Sequence, residues 1–139
     1  MANPVVLDAG PLVALLDQAD QWHTWTSEQF NLLHEPMLTC EAVVSECAYL
    51  LRARDPGYRK LTGIFRSGAV KLDFQLADHF DVVAHLLAKY QDVPMSLADA
   101  CLVRMSELHD RSRVFTLDAD FKLYRRHGRQ SIPLIFPHR

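Results

Sequence analysis

Short apolar runs alternate with longer segments of helical pattern along nearly the whole chain. The apolar runs predict strands at Pro4–Leu7, Pro36–Leu38, Ala69–Asp73, Val114–Leu117 and Ile132–Phe136. The segments between them predict helices that start at Pro11 and that cover 24–34, 40–53, 55–65, 75–91, 96–109 and 118–127. Strands that alternate with helices predict an α/β domain with about five mostly parallel strands flanked by helices.

The size and composition of the chain are those of one globular domain. The 139 residues are 49% hydrophobic and 23% charged, with a net charge of −2, so we expect a single domain over residues 1–139. This charge excludes a basic field over the whole domain. The three cysteines, Cys40, Cys47 and Cys101, match no zinc spacing and lie in apolar stretches, which indicates reduced thiols. The sequence carries no signal peptide pattern and no apolar run of membrane-spanning length, so we expect a soluble, cytoplasmic protein without membrane contact.

Four carboxylates occupy positions where a solvated surface charge is not expected. Asp8 and Asp118 directly follow the first and fourth predicted strands, where ligands bind in open parallel sheets. Glu46 shares a helix face with Val43 and Leu50, and Asp99 lies in the first turn of an apolar helix. Asp120, two residues after Asp118, is a possible fifth member of the group.

Each acid also fits a structural role when it is considered alone. Asp8 and Asp118 fit helix caps, Asp99 fits the third residue of a capping box with Ser96, and Glu46 fits a salt bridge with an arginine. As a group they repel, since two carboxylates ~4 Å apart cost roughly 4 kcal/mol at an effective dielectric near 20. A cation relieves that repulsion, and an all-oxygen ligand set favours Mg²⁺ or Mn²⁺. Arg104, in the same helical segment as Asp99, is an alternative partner for the acids.

The motifs around these acids resemble the PIN-domain family, in particular its VapC-type toxin ribonucleases. The similarity extends from about Val5 to Phe136, and its motifs are Val5-Val6-Leu7-Asp8, Val43-Val44-Ser45-Glu46, Ser96-Leu97-Ala98-Asp99-Ala100 and Thr116-Leu117-Asp118-Ala119-Asp120-Phe121. The resemblance places the family's four acids on Asp8, Glu46, Asp99 and Asp118, with Thr116 as the supporting hydroxyl and Asp120 as a possible additional ligand. Gly10-Pro11 replaces the serine or threonine that is common after the first acid.

The resemblance implies a PIN-like fold and an Mg²⁺- or Mn²⁺-dependent endoribonuclease that leaves 5′-phosphate and 3′-hydroxyl ends. It further implies that RNA is the substrate and that the protein is the toxin of a toxin–antitoxin pair, with an antitoxin protein as partner. The alternative is a PIN-fold protein that binds nucleic acid or a partner without catalysis, which the missing hydroxyl after Asp8 would favour. Two basic clusters are candidate phosphate contacts, one after Glu46 (Arg52, Arg54, Arg59, Lys60 and Arg66) and one after Asp120 (Lys122, Arg125, Arg126 and Arg129). We also expect a homodimer through an apolar helical surface formed by Trp22, Trp25, Phe30 and Leu33.

Overall fold

Seven short strands form two sheets in the structure, a computed structural model that describes residues 3–138. The strands are β1 (Val5–Leu7), β2 (Met37–Thr39), β3 (Val70–Leu72), β4 (Arg113–Phe115), β5 (Arg125–Arg126), β6 (Gln130–Ser131) and β7 (Leu134–Ile135). Five of them make a sheet in the order β3-β2-β1-β4-β7, in which every neighbouring pair is parallel. The predicted α/β class with five parallel strands is therefore confirmed.

The order of the strands creates a switch point between β1 and β4. From β1 the chain builds the sheet in one direction through β2 and β3, and then returns to add β4 and β7 on the other side. In register, Val6 pairs with Leu38 on one side and with Val114 on the other. A crevice opens beyond the carboxyl ends of the strands at such a point, because the two flanking connections leave in opposite directions.

Within residues 3–138, six α-helices flank the sheet. They are α1 (Ala9–Leu16), α2 (His23–Leu32), α3 (Glu41–Leu51), α4 (Arg59–Arg66), α5 (Phe80–Lys89) and α6 (Leu97–Leu108). Helix α1 contacts α2 and α3, while α6 contacts α3 and α5. Among the described residues, no helix combines the length and the apolar character needed to span a membrane.

The central strands and the aromatic residues of α2 meet in the core. All three residues of β1 are fully buried, as continuous apolar strands in a parallel sheet are expected to be. The Phe115 ring lies 5.8 Å from the Trp25 ring and 5.6 Å from the Phe30 ring, measured between centroids. Trp25 and Phe30 therefore pack on the sheet, which leaves them only partly available to the expected dimer surface.

The predicted helix over 118–127 is wrong. Only a single 3-10 turn, Ala119–Lys122, forms after Asp118, and β5 and β6 then pair as an antiparallel hairpin. His127 and Gly128, in the connection between the two strands, have φ angles of 52° and 80°. A right-handed helix cannot continue through left-handed residues, so the chain reverses there.

Two other predicted helices start later than the sequence pattern indicated. The segment predicted from 75 begins as a 3-10 turn, Leu76–His79, before α5. After Asp55, Gly57 and Tyr58 adopt positive φ angles and delay the start of α4. The Asp55 carboxylate nevertheless caps this helix, since it accepts the backbone N–H groups of Lys60 and Leu61 at 3.1 Å.

Candidate active site

Four carboxylates line one cavity of about 460 Å³ at the carboxyl ends of β1 and β4. They come from four different places in the chain, and together with Ser96, Gly10 and four apolar or small residues they form its wall. The four acids are Asp8, Glu46, Asp99 and Asp118. The structure thus brings together all four acids on which the sequence-based site prediction rests.

Asp8 is held rigidly at the switch point between β1 and β4. It is 5% exposed, and its backbone N–H donates to the carbonyl of Phe115, which continues the pairing of β1 with β4. Its Oδ1 accepts the Ala9 N–H at 2.7 Å, so Asp8 caps α1, and its Oδ2 accepts the Thr116 hydroxyl at 2.6 Å. The capping role and the cavity-lining position are therefore compatible in one residue.

Thr116 connects two of the acids. It is fully buried just beyond β4, and while its hydroxyl donates to Asp8, the same oxygen accepts the backbone N–H of Asp118 at 3.0 Å. A hydroxyl that donates on one side and accepts on the other fixes the spacing of the two groups it joins. This is the supporting position that the sequence motif assigns to Thr116.

Asp99 belongs to a capping box and also faces the cavity. Its backbone N–H donates to the Ser96 hydroxyl at 3.0 Å, and its Oδ2 accepts the Ser96 N–H at 3.3 Å. The same oxygen accepts the hydroxyl of Tyr124 at 3.1 Å. Asp99 is 8% exposed, so these donors hold its carboxylate in place at the start of α6.

Glu46 and Asp118 form the exposed side of the cavity. Glu46 projects from α3 and is exposed, while Asp118 is exposed and accepts the Asp120 N–H at 2.9 Å through Oδ1. Asp120 itself is not among the residues that line the cavity. The site therefore has two buried acids at its base, Asp8 and Asp99, and two exposed acids at its rim, Glu46 and Asp118.

Burial and mutual repulsion raise the pKa values of three of these acids. Burial raises the pKa of Asp8 to about 7, against the hydrogen bonds from Thr116 and Ala9, and the charges of Asp99 and Glu46 add to the increase. Burial also raises the pKa of Glu46, with further increases from Asp99 and Asp118. Burial and Asp118 raise the pKa of Asp99, against the hydrogen bonds that it accepts. Repulsion from neighbouring carboxylates therefore adds to burial in raising the pKa values of Asp8, Glu46 and Asp99.

The sequence matches the profile of the PIN domain over residues 5–126, which include all four acids and their flanking motifs. The chain belongs to the PIN domain family. The prediction from the motifs is thereby confirmed.

Two relatives place the chain near the VapC-type members of the PIN family. It is 28% identical to Ribonuclease VapC26 of Mycobacterium tuberculosis (strain ATCC 25618 / H37Rv) over 117 residues, which cover 82% of this chain and 86% of that protein. Its fold is similar to the crystal structure of Mycobacterium tuberculosis VapC20, described as a sarcin-ricin loop cleaving toxin. The TM-score is 0.76 at 20% identity, and the match covers 86% of this chain and 93% of VapC20.

The oxygen atoms that line the cavity of this PIN domain fit a hard cation that keeps several of its waters better than a cation that is enclosed by protein ligands. Within residues 3–138, no three histidine, cysteine, aspartate or glutamate side chains stand close enough to form a complete ligand cage. The cavity wall supplies carboxylate oxygens, without imidazole or thiolate, around a space of about 460 Å³, which is large enough for several waters. Mg²⁺ commonly binds through one or two carboxylates and keeps several of its waters, so the residues present fit Mg²⁺ or Mn²⁺.

Tyr124 is a site residue that the sequence analysis missed. It is fully buried, and its ring packs edge-on against Tyr90 and Phe121 while its hydroxyl donates to Asp99. Burial and the nearby Asp99 carboxylate raise the pKa of Tyr124, so the hydroxyl remains a donor. A tyrosine followed by two arginines gave no signal for this role, because the contact joins residues 25 positions apart.

Two expectations about the basic residues need correction. Arg104 does not pair with the acids of the cavity, because its guanidinium donates to Glu107 at 3.1 Å and to His79 at 3.2 Å. Arg126, from the basic cluster after Asp120, is 9% exposed and donates to the Ser106 carbonyl. A buried guanidinium that holds a helix carbonyl is not free to contact a phosphate.

Arg52, from the basic cluster after Glu46, has its side chain oriented by the neighbouring Tyr49. It lies two residues after Leu50, which lines the cavity wall, and its guanidinium stacks 3.9 Å above the exposed ring of Tyr49. The Arg52 side chain also donates to the Tyr49 carbonyl, which fixes its orientation.

Proposed function

We propose that this protein is an Mg²⁺- or Mn²⁺-dependent endoribonuclease that hydrolyses phosphodiester bonds of RNA. The observation that carries the proposal is the convergence of Asp8, Glu46, Asp99 and Asp118 on one cavity, where burial and neighbouring carboxylates raise the pKa values of Asp8, Glu46 and Asp99. Membership of the PIN family and the similarity to a protein named as a ribonuclease support RNA as the substrate.

The four acids would divide metal binding and water activation among them. Asp8 and Asp99 are the proposed direct ligands, since hydrogen bonds already fix both carboxylates, and Asp118 would ligate directly or through water. The chemistry supplied by Mg²⁺ or Mn²⁺ in such a site is activation of a water for attack on phosphorus and neutralisation of charge on the phosphate.

Glu46 is the proposed residue for orienting the attacking water and accepting its proton. Its carboxylate is at the exposed rim, where a phosphodiester enters, and its pKa is raised by burial and by Asp99 and Asp118. A carboxylate with a raised pKa is a better proton acceptor near neutral pH than an unperturbed one. Attack by water, rather than by the 2′-hydroxyl, predicts products with 5′-phosphate and 3′-hydroxyl ends.

The test is cleavage of an end-labelled RNA by the wild type, Asp99→Asn and Glu28→Gln. Glu28 is an exposed acid of α2, so Glu28→Gln controls for the loss of one negative charge. We expect the wild type and Glu28→Gln to cut with Mg²⁺ or Mn²⁺ and to be inactive in EDTA, while Asp99→Asn loses at least 100-fold in rate, on the order of several kcal/mol of transition-state stabilisation. RNA that binds without being cut by the wild type would instead support a non-catalytic PIN-fold protein.

We further propose that the protein is the toxin of a toxin–antitoxin pair. The support is the similarity to two VapC proteins of Mycobacterium tuberculosis, one of which is described as a toxin. Induced expression of the wild type should arrest growth, and Asp99→Asn should not. A small open reading frame directly upstream, whose product relieves the arrest, would identify the antitoxin.

A further inference from the structure

Two of the three cysteines form a pair next to a cavity that the proposed reaction does not use. Cys40 is the N-cap residue of α3, and Cys101 lies inside α6. Both are buried, at 2% and 1% exposure, and both line the same cavity. Cys47, also buried, directs its thiol elsewhere, toward the Ala9 carbonyl at 3.7 Å.

The environment of Cys40 favours its thiolate. The hydrogen bond from Cys101 lowers the pKa of Cys40, with smaller contributions from the backbone N–H groups of Val43 and Ala42 at the start of α3. Thiols at helix N-termini are commonly activated in this way, and the thiolate is the form that reacts with oxidants.

A small oxidant has a route to the pair. Both cysteines line a cavity of about 210 Å³ between the start of α3 and the segment Phe74–Ala77. This cavity is separate from the one lined by the four acids. Its volume admits hydrogen peroxide, whereas the nearly complete burial of both sulfur atoms excludes bulky disulfide reagents.

We propose that Cys40 and Cys101 are a redox modification site, at which hydrogen peroxide converts the two thiols into an intramolecular disulfide. The Cys40 thiolate attacks one peroxide oxygen, the O–O bond breaks, and the departing hydroxide takes a proton to leave as water, which gives a sulfenic acid. The Cys101 sulfur then attacks the Cys40 sulfur, the S–OH bond breaks, and the hydroxide leaves as water with the thiol proton. Two thiols lose two electrons, and one peroxide becomes two waters.

The position of this pair ties the modification to the acid-bearing helices. Cys40 begins α3, which carries Glu46, and Cys101 lies in the turn of α6 that follows Asp99. A disulfide holds its two sulfur atoms about 2.05 Å apart and fixes their dihedral geometry. Oxidation would therefore cross-link the two helices through a bond that peroxide makes and a dithiol reductant removes.

To test this proposal, the native wild type is treated with a small excess of hydrogen peroxide, and the remaining peroxide is removed with catalase. The protein is then denatured, and its remaining thiols are alkylated with N-ethylmaleimide. Intact mass and a non-reducing peptide map then report which cysteines remain free. We expect one alkylated cysteine, Cys47, and one Cys40–Cys101 peptide, both reversed by dithiothreitol. The cross-link should raise the Tm on the order of 10 °C, because it closes a long loop of the unfolded chain.

Cys47→Ala is the matched control, since it removes a buried cysteine outside the pair. It should still form the disulfide, whereas Cys40→Ala and Cys101→Ala should not, and Cys101→Ala should accumulate a sulfenic acid that dimedone traps on Cys40. Three alkylated cysteines in the peroxide-treated wild type, or a disulfide that includes Cys47, would overturn the proposal. The wild-type peptide map decides this even if a variant fails to fold, and it does not depend on nuclease activity.

Discussion

Asp8→Asn tests the active-site proposal most directly, because it removes the most strongly perturbed charge of the cavity. The pKa of Asp8 rises from an ordinary 3.8 to about 7 on folding, mainly because the carboxylate is buried. At about pH 8 both the folded and the unfolded protein are ionised at this position, so the full shift counts against folding. A shift of roughly 3 units corresponds to about 4 kcal/mol of lost stability in the metal-free protein.

The hydrogen bonds of Asp8 reduce the expected gain. Asparagine keeps Oδ1 as acceptor for the Ala9 N–H, but it presents an N–H donor to Thr116, whose oxygen already accepts the Asp118 N–H. The Thr116 hydroxyl hydrogen then lacks its acceptor, at a cost of about 1–2 kcal/mol. The net expectation is a stabilisation of about 2–3 kcal/mol at about pH 8 in EDTA, or a Tm increase of about 4–10 °C.

The sign of this effect depends on pH. The folded state binds the Asp8 proton more tightly than the unfolded state, so the wild type loses stability as pH rises from about 4 to about 7. Asp8→Asn lacks this titration, so near pH 4 the gain disappears and only the hydrogen-bond cost remains. The stability difference between the variant and the wild type should therefore change sign within this pH range.

The measurement is a set of melting curves and urea titrations of the wild type, Asp8→Asn and Glu28→Gln. Each protein is compared at about pH 4 and about pH 8, in EDTA and with excess Mn²⁺, alongside cleavage of labelled RNA. We expect Mn²⁺ to raise the Tm of the wild type and of Glu28→Gln but not of Asp8→Asn, which should also be inactive. If Asp8→Asn melts below the wild type in EDTA at about pH 8, or keeps its Mn²⁺ shift and its activity, the metal-site interpretation of Asp8 is refuted.

Three further predictions address the support of the site, the scaffold and the assembly. Tyr124→Phe removes one donor to Asp99 while the Ser96 donors remain. We expect the rate of RNA cleavage to fall about tenfold in kinetic assays and the stability to fall by about 1 kcal/mol in urea titration. Unchanged kinetics would show that the Tyr124 hydroxyl does not position Asp99. Asp55→Ala removes the acceptor of two N–H groups at the start of α4, so the free energy of unfolding in urea titration should fall by about 1–2 kcal/mol. RNA cleavage should be unchanged, because Asp55 is not one of the residues that line the acidic cavity. A loss of cleavage without a loss of stability would contradict this prediction. Light scattering at roughly tens of micromolar should show a dimer, the commonest closed assembly, and a monomer would count against the expected apolar interface.

The sequence by itself determined the features that depend on local pattern. Apolar runs that alternate with amphipathic segments predicted the parallel sheet, because burial on both faces of a strand requires continuous apolar residues. The capping box at Ser96 was readable because both of its hydrogen bonds join residues three positions apart. Asp8 and Asp118 were recognisable because each follows a strand, and the carboxyl ends of parallel strands share one edge of the sheet.

The tertiary structure decided every feature that depends on contacts between distant segments. The sequence around Tyr124 and Arg126 predicted a helix, yet packing places the tyrosine against Asp99 and buries the arginine against the Ser106 carbonyl. The thiol pair of Cys40 and Cys101 likewise joins the starts of two helices that a crossover brings together. Such contacts form only when the strands between them have paired, so no local pattern in the sequence records them.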